Sequence, residues 1–303
     1  MNPTPPPNPI PRTPGAEVAV GPELVHALLA DQHPDLLGLE LRPVEVGWDN
    51  TMYRLGEDLA VRLPHRLAAA NRVEIEQTWL PRVAPQLSLL VPVPVRAGLP
   101  AHGFPWRWSV VGWIAGAPAD VSRPRSDQAV AWGSFLRSLH SAPPGDAPRN
   151  PSRGIPLAQR AHYTIARLQR LEAATTHINP QVHAVWESAL KAAIDVTDTW
   201  IHADLHPRNV LVEGGRFAGV IDWGDLAAGD PATDLASVWM LLDGTSVRES
   251  ALAAYGTISP ATRARARGWA LVLALVLLET GLVDNPRNAA IGTAILGRLL
   301  GRS

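Results

Sequence analysis

Hydrophobic and polar positions switch repeatedly between helical and β period along this chain. Residues 21–29 open with a Gly-Pro turn and then run with helical spacing. Three short β-like runs follow at 43–48, 50–55 and 58–63, punctuated by Gly47-Trp48-Asp49 and Gly56-Glu57-Asp58, and Pro64 ends the third. Tight turns between such runs predict an antiparallel meander. Residues 68–83 read as a helix carrying Glu74 and Glu76. Residues 89–97 and 106–114 read as two further strands, the first Pro-rich and so expected at an edge. From Ser126 the texture turns helical: Ala129, Trp132, Phe135, Leu136 and Leu139 form one stripe in 126–140. A Pro/Gly-rich loop at 142–156 precedes helices at 157–174 and 180–195. Short strands at 199–202, 210–212 and 217–221 enclose a loop and a Glu213-Gly214-Gly215 turn, and the chain reads as helical from Pro231 onward. A β-rich first part and a helical second part predict an α+β chain of two lobes.

Composition narrows the class. The 303 residues are 46% hydrophobic with a formal net charge of -1, which predicts a globular protein without the basic footprint of a nucleic-acid binder. Cysteine is absent, which removes disulfides, thiol nucleophiles and thiolate metal sites and fits a cytoplasmic protein. Residues 1–15 carry seven prolines and no apolar h-region; they read as a disordered or polyproline tail, not a signal peptide. The longest apolar run, 269–278, is about half the ~20 residues that span a bilayer, so a buried helix is expected and no membrane partner.

The candidate chemistry lies in His202-Ala203-Asp204-Leu205-His206-Pro207-Arg208-Asn209, followed by Ile221-Asp222-Trp223-Gly224. The spacing H-x-D-x-x-x-x-N and then D-x-G is that of a phosphoryl-transfer centre. Asp204 is placed to orient a substrate hydroxyl and accept its proton. The amide oxygen of Asn209 and the carboxylate of Asp222 suit Mg²⁺, a hard cation that prefers oxygen ligands. His202 is expected to shape the loop by hydrogen bonds, and Pro207 to stiffen it. A competing arrangement places His202, Asp204 and His206 on one face of a strand as metal ligands; the Asp222 motif at the expected separation favours the first. Asp230 and Asp234 read as structural, Asp230 as a helix N-cap before Pro231 and Asp234 as an acceptor for catalytic-loop backbone. Asp225 is either a turn residue or part of the substrate mouth.

With Val220-Ile221-Asp222-Trp223-Gly224-Asp225 and Gly229-Asp230-Pro231-Ala232-Thr233-Asp234-Leu235-Ala236, these motifs resemble the aminoglycoside phosphotransferase family, a branch of the protein-kinase-like fold. The resemblance runs from about Gly21 and is most specific between residues 200 and 236. It implies a bilobal fold, with a nucleotide-binding lobe at 16–115 and a helical lobe at 116–303 holding the catalytic loop and acceptor site. It implies ATP or GTP as co-substrate, Mg²⁺, and a small hydroxylated acceptor.

The resemblance also implies a cation on the third strand that grips the α/β-phosphates and pairs with a helical glutamate. Arg62 stands there where Lys is usual, and Glu76, in Val-Glu-x-Glu, is the expected partner ahead of Glu74. The plainer role for Arg62 is to cap a surface strand. The turn before the second strand has one glycine, Gly47, so backbone N–H groups of Asp49, Asn50 and Thr51 are the expected phosphate contacts. Gly112 and Ile114, in the segment joining the lobes, are expected to offer backbone to the base. Most of the 11 Trp are expected in cores. The implied activity is transfer of the γ-phosphoryl group to a hydroxyl of an aminoglycoside, a macrolide or a related metabolite. The competing function is a catalytically weak nucleotide-binding or regulatory protein, to which Arg62 and the Gly-poor turn lend weight. A protein kinase fits poorly, since Gly229-Asp230-Pro231 follows Asp222 too closely to leave an activation segment.

Overall fold

The computed structural model describes residues 15–44 and 49–302. The Pro-rich tail at 1–14, and the Gly47-Trp48 part of the first turn with the end of the run at 43–48, lie outside the described residues. Helix α1 (Pro22–Gln32) leads into strands β1 (Leu41–Pro43), β2 (Asn50–Leu55) and β3 (Leu59–Pro64), then helix α2 (Leu67–Val83), β4 (Pro94–Gly98) and β5 (Trp108–Gly112). The five strands form one antiparallel sheet in the order β1-β2-β3-β5-β4. The first three make a meander, with β2 and β3 where expected but β1 at Leu41–Pro43, ahead of the run expected at 43–48, and β4 takes the expected edge. That strand is shorter than its apolar pattern predicts: Pro92 and Pro94 lack the N–H a ladder needs, so pairing begins only at Pro94.

Alternation along β3 decides what each face does. Val61 and Leu63 point into a cluster with Val25, Leu28 and Leu29 of α1 and with Trp108 and Val110 of β5. Their neighbour Arg62 therefore faces the other way, toward α2. It pairs in register with Met52 on one side and Ser109 on the other, which places it mid-sheet. It is 8% exposed and caps no surface.

The second lobe follows with β6 (Ala117–Pro118), α3 (Ala129–Leu139), α4 (Leu157–Ala174), α5 (Pro180–Lys191), β7 (Thr199–Ile201), β8 (Val210–Glu213), β9 (Arg216–Val220), β10 (Ala227–Gly229), α6 (Ala232–Leu235), α7 (Ser237–Leu241), α8 (Thr245–Tyr255), α9 (Pro260–Gly281) and α10 (Pro286–Leu299). α5 stops four residues short of its expected end, and β6 and β10 were not foreseen; neither strand exceeds three residues. The β8–β9 turn falls at Gly214 and Gly215, both at positive φ. The stripe of α3 is buried throughout, with Trp132 stacked against Phe135 and Phe217. The apolar run at 269–278 is the interior of α9, the central helix of this core. Among the described residues, no helix is long and apolar enough to cross a membrane. Trp132, Trp186, Trp239 and Trp269 are core residues, as expected.

Backbone and helix contacts join the lobes beside the loop after β9. Val220 N donates to Leu90 O at 2.9 Å, and α2 packs on the turn at Trp223–Asp225. α3 and α8 touch through Gly133, where a Cβ would meet Ala251 O at 2.0 Å. Gly133→Ala must push those backbones apart and is expected to cost ~1–3 kcal/mol. Gly297 in α10 has open space around the same position, so Gly297→Ala is expected to stabilise by about 0.4–1 kcal/mol. Urea midpoints of the two variants should move in opposite directions.

Candidate functional site

The loop between β7 and β8 takes its shape from one buried carboxylate. Asp234, fully buried at the start of the helical region, accepts from His202 N at 2.6 Å and Ala203 N at 2.8 Å. Two consecutive N–H groups converging on one anion force the backbone between them to turn, and Ala203 adopts φ +71°. Asp234 is fixed in turn: its carbonyl accepts from Ser237 Oγ at 2.6 Å, and Ser237 Oγ accepts from Trp132 Nε1 at 3.0 Å. His140 Nε2 lies 3.4 Å from its Oδ2. The role expected for Asp234 is thus the one it has.

His202 is wholly buried and bonds within the loop: its Nε2 is 3.0 Å from Ile221 O, and its Nδ1 accepts from Asp204 N at 3.2 Å. It does not share a strand face with Asp204 and His206, because the chain turns at Ala203. Asp204 follows the turn, with its Oδ1 on Arg153 and its Oδ2 3.8 Å from His206 Nε2. Asn209 Nδ2 donates to Asp204 O at 3.0 Å, which fixes the amide and leaves its oxygen facing away. Ile221 N donates to Asn209 O at 2.9 Å, which delivers Asp222 to the same place. Asp222 has φ +64° and ψ +66°. A non-glycine residue there costs of order 1–3 kcal/mol. Among the described residues only His102 joins Ala203 and Asp222 in this region.

From the other lobe Arg62 reaches across. Its Nη1 donates to Glu76 Oε2 and its Nη2 to Asp222 Oδ1, the latter at 2.6 Å. Glu76 is the glutamate that turns inward; Glu74, two residues earlier, faces outward to Arg107. Burial disfavours a charged Arg62, but Glu76 and Asp222 outweigh it and hold the guanidinium above its ordinary value. Asn50, with its amide oxygen turned inward, accepts from Arg62 Nη2 at 3.0 Å. Asn50 and Thr51 lie in β2, paired with Pro64 and Leu63, and Thr51 Oγ1 is 3.3 Å from His65 Nδ1. Asp49 sits at the mouth as the anchor of two arginines, Arg66 and Arg72, the latter at 2.5 Å. Gly112 ends β5 opposite Leu59, while Trp113 N is used by Asp58 O at 2.8 Å. Ile114 follows, nearly buried against Gly219. Asp230 accepts from Ala232 N at 3.0 Å, the expected cap, and also holds buried Arg265 at 2.7 Å.

Sequence reasoning missed Arg153. The loop at 142–156 carried only a Pro/Gly signal, yet Arg153 Nη1 donates to Ala203 O at 2.7 Å and to Asp204 Oδ1. The local clue is Asn150-x-Ser152-Arg153-Gly154: Asn150 Oδ1 accepts from Ser152 N and Arg153 N, and Asn150 Nδ2 donates to Asp225 Oδ1 at 2.8 Å. Gly154, at φ +68°, packs on Ile201 where a Cβ would approach to 2.4 Å. Burial would raise the Asp204 carboxyl, but Arg153 and then His206 hold it well below the usual carboxylate range. Burial lowers the His206 imidazole from its ordinary value. Burial raises the Asp225 carboxyl, against the pull of Arg153 and Arg72.

Solved structures with this two-lobe, protein-kinase-like arrangement include an aminoglycoside 2′-phosphotransferase in complex with GDP. It is 16% identical, with a TM-score of 0.66, and 92% of this chain and 98% of that one are covered. A macrolide 2′-phosphotransferase from Brachybacterium faecium is 24% identical with a TM-score of 0.60, over 90% of this chain and 97% of that one. The viomycin phosphotransferase of Streptomyces vinaceus is 44% identical over 55 residues, 17% of this chain and only 19% of that enzyme. Residues 40–269 match the phosphotransferase enzyme family as a whole, and this chain belongs to it.

Proposed function

We propose that the protein is a small-molecule O-phosphotransferase that moves the γ-phosphoryl group of ATP or GTP to a hydroxyl of an antibiotic, aminoglycoside or macrolide, or of a related metabolite. Residues 16–115 form its nucleotide lobe and 116–303 its acceptor lobe in this reading. The observation that carries it is the meeting of Arg62, Glu76 and Asp222 beside Asp204 and Asn209, from positions up to 160 residues apart. Relatives whose structures hold GDP, ADP or kanamycin support the same assignment.

Each side chain has a task that follows from its surroundings. Asp204 orients the acceptor hydroxyl through Oδ2, since Oδ1 is taken by Arg153, and receives its proton as the new O–P bond forms. Arg62, held by Glu76, meets the α/β-phosphates. Backbone at Gly112 and Ile114 reads the base, and the segment at Asp49, Asn50 and Thr51 closes over the phosphates. The donor set suits a divalent cation: Asn209 keeps its amide oxygen free of the Asp204 contact, and Asp222 is engaged through Oδ1 and has its side chain 38% exposed. Mg²⁺ takes one or two such oxygens with the phosphates, and when bound it neutralises charge on the β- and γ-phosphoryl oxygens.

A second reading, a catalytically weak nucleotide binder, draws on one observation: Arg62 bonds the carboxylate that the cation needs. Two experiments separate them. Asp204→Asn is expected to lower transfer at least ~1000-fold with nucleotide affinity unchanged, since only the step that needs a carboxylate is lost. Mass detection of phosphorylated acceptor against a titration of nucleotide binding checks this, and undiminished turnover would remove Asp204 from the reaction. Arg62→Lys is expected to keep turnover within about tenfold, whereas Arg62→Met should lose ~100-fold or more. A large rise in turnover on introducing lysine would favour the second reading for the natural protein.

A further inference from the structure

Among the described residues, one guanidinium beside the Arg153 loop, that of Arg160, meets no carboxylate. Arg160, Arg167 and Arg170 lie on α4 at positions that repeat every three or seven residues, so they share a face of the helix. Arg167 and Arg170 converge on the fully buried Glu279 of α9, at 2.6 and 2.7 Å. Among the described residues Arg160 has no such partner. Its Nη1 donates to Ser152 O at 2.7 Å, and its guanidinium carbon stands 6.0 Å from the centre of the Trp269 ring. Its Nε is buried and meets no acceptor among the described residues. The turn that Arg160 braces is the turn that aims Arg153 at Asp204. Arg160 therefore stands against the loop whose Arg153 holds the proposed base, and its charge acts on that of Arg153.

The nearby carboxylates are already committed. Asp204 Oδ1 holds Arg153, Asp222 holds Arg62, and Asp225 accepts from Asn150 with Arg72 at 3.7 Å. From Leu157 to Leu171, α4 carries no acidic residue. Burial, and then the charges of Arg153 and Arg167, push Arg160 below its ordinary value, the mark of positive charge without compensation. Leaving such a group partly buried is costly unless an anion meets it, and arginine meets carboxylate or phosphate with paired N–H donors.

We propose that Arg160, together with Arg153, forms an anion subsite beside Asp204, and that the acceptor carries a carboxylate or phosphate group near the hydroxyl it offers to Asp204 Oδ2. This rests on the phosphotransferase reading and narrows its acceptor class. A polycationic amino sugar meets like charge at the mouth and is disfavoured there.

The test uses the full chain with Mg²⁺ and ATP and four sugars of one ring: galactose, galactosamine, galacturonate and galactose 6-phosphate. Binding is read by saturation-transfer NMR at fixed ionic strength, and product by mass. Either anionic sugar is expected to bind at least ten times more tightly than galactose, with galactosamine weakest. Galacturonate against galactose 6-phosphate tells which anion the site prefers. Arg160→Gln should cut the anionic advantage to threefold or less, and Arg160→Lys, which keeps the charge, should retain part of it. Raising NaCl from 0.05 to 0.5 M should erode the advantage in the natural protein. Equal affinities, a preference for galactosamine, no detectable binding of either anionic sugar, or an advantage that survives Arg160→Gln would each overturn the subsite. Anion-selective binding with no Asp204-dependent transfer to any acceptor would leave the subsite standing and remove the phosphotransferase reading. Asp204-dependent transfer to galactosamine in preference would do the reverse.

Discussion

The geometry of the site depends on the buried carboxylate of Asp234. Its two oxygens receive the N–H groups of His202 and Ala203, and that pairing offsets the cost of holding an alanine at positive φ. Charge-assisted bonds to a buried anion contribute about 1.5–3 kcal/mol each, so the two together outweigh the ~1–3 kcal/mol of strain at one such residue. The order of causes runs outward from there. Trp132 on α3 fixes Ser237, Ser237 fixes the carbonyl of Asp234, and Asp234 fixes the turn that presents Asp204. Tyr255, with its hydroxyl 2.9 Å from His140 Nδ1, completes the shell; burial, with Asp234 and Asp230 nearby, pushes its hydroxyl up to about 12, so it stays a neutral donor or acceptor. A loop built this way inherits the rigidity of the helical core that holds Asp234.

Arg62 performs the matching task between lobes. It touches both the sheet's helix, through Glu76, and the loop of the second lobe, through Asp222. The chain contains a single lysine, Lys191, on an exposed turn of α5, beside 26 arginines. Arginine at position 62 therefore accords with a chain that uses arginine almost everywhere, and is weak evidence of a disabled site. The replacement still changes the physics. A planar fork engages two carboxylates in two directions at once, which a single ammonium on a flexible stem does less rigidly. The lobes are consequently tied through a charged contact, whose strength responds to whatever else binds Asp222.

What was legible in the sequence follows from how locally each feature is determined. The loop at 202–209 and the position of Asp222 were readable because their spacing is fixed by one turn and one strand, and the core stripe of α3 because its period is that of a helix. Helix geometry said that only one of Glu74 and Glu76 could face the sheet, since they point about 200° apart; the choice of Glu76 came from the resemblance of Val-Glu-x-Glu to the family's helix. The short strands β6 and β10 were invisible: two or three residues carry no period, and their pairing with β8 and β7 is set by the fold. The Pro-rich fourth strand was foreseen as an edge but drawn too long, since each proline removes a ladder donor. Arg153 was missed for a different reason. Its loop is held by contacts to residues 50 to 80 positions away, among them Asp230 N to Gly154 O at 3.0 Å and Ala228 N to Pro148 O at 2.8 Å. No local pattern reports on those.

The Arg153 contact also bears on how the proposed transfer is divided between proton and phosphoryl motion. A carboxylate held well below its usual range is a poor base, so an Asp204 chosen for proton affinity would not be given an arginine. A carboxylate chosen for orientation would: Arg153 takes one oxygen, fixes the side chain against Ala203 O, and leaves the other to an incoming hydroxyl. In a loose phosphoryl transfer the nucleophile bonds late, and its hydroxyl becomes acidic only as the P–O bond forms. A weak, rigid acceptor is then sufficient, because positioning supplies more of the barrier reduction than basicity does. The arrangement of Asp204, Arg153 and Asp234 is thus better suited to aiming a hydroxyl than to ionising it. The guanidiniums around it fit the same logic, since they hold the reacting partners by charge and take no proton in the exchange.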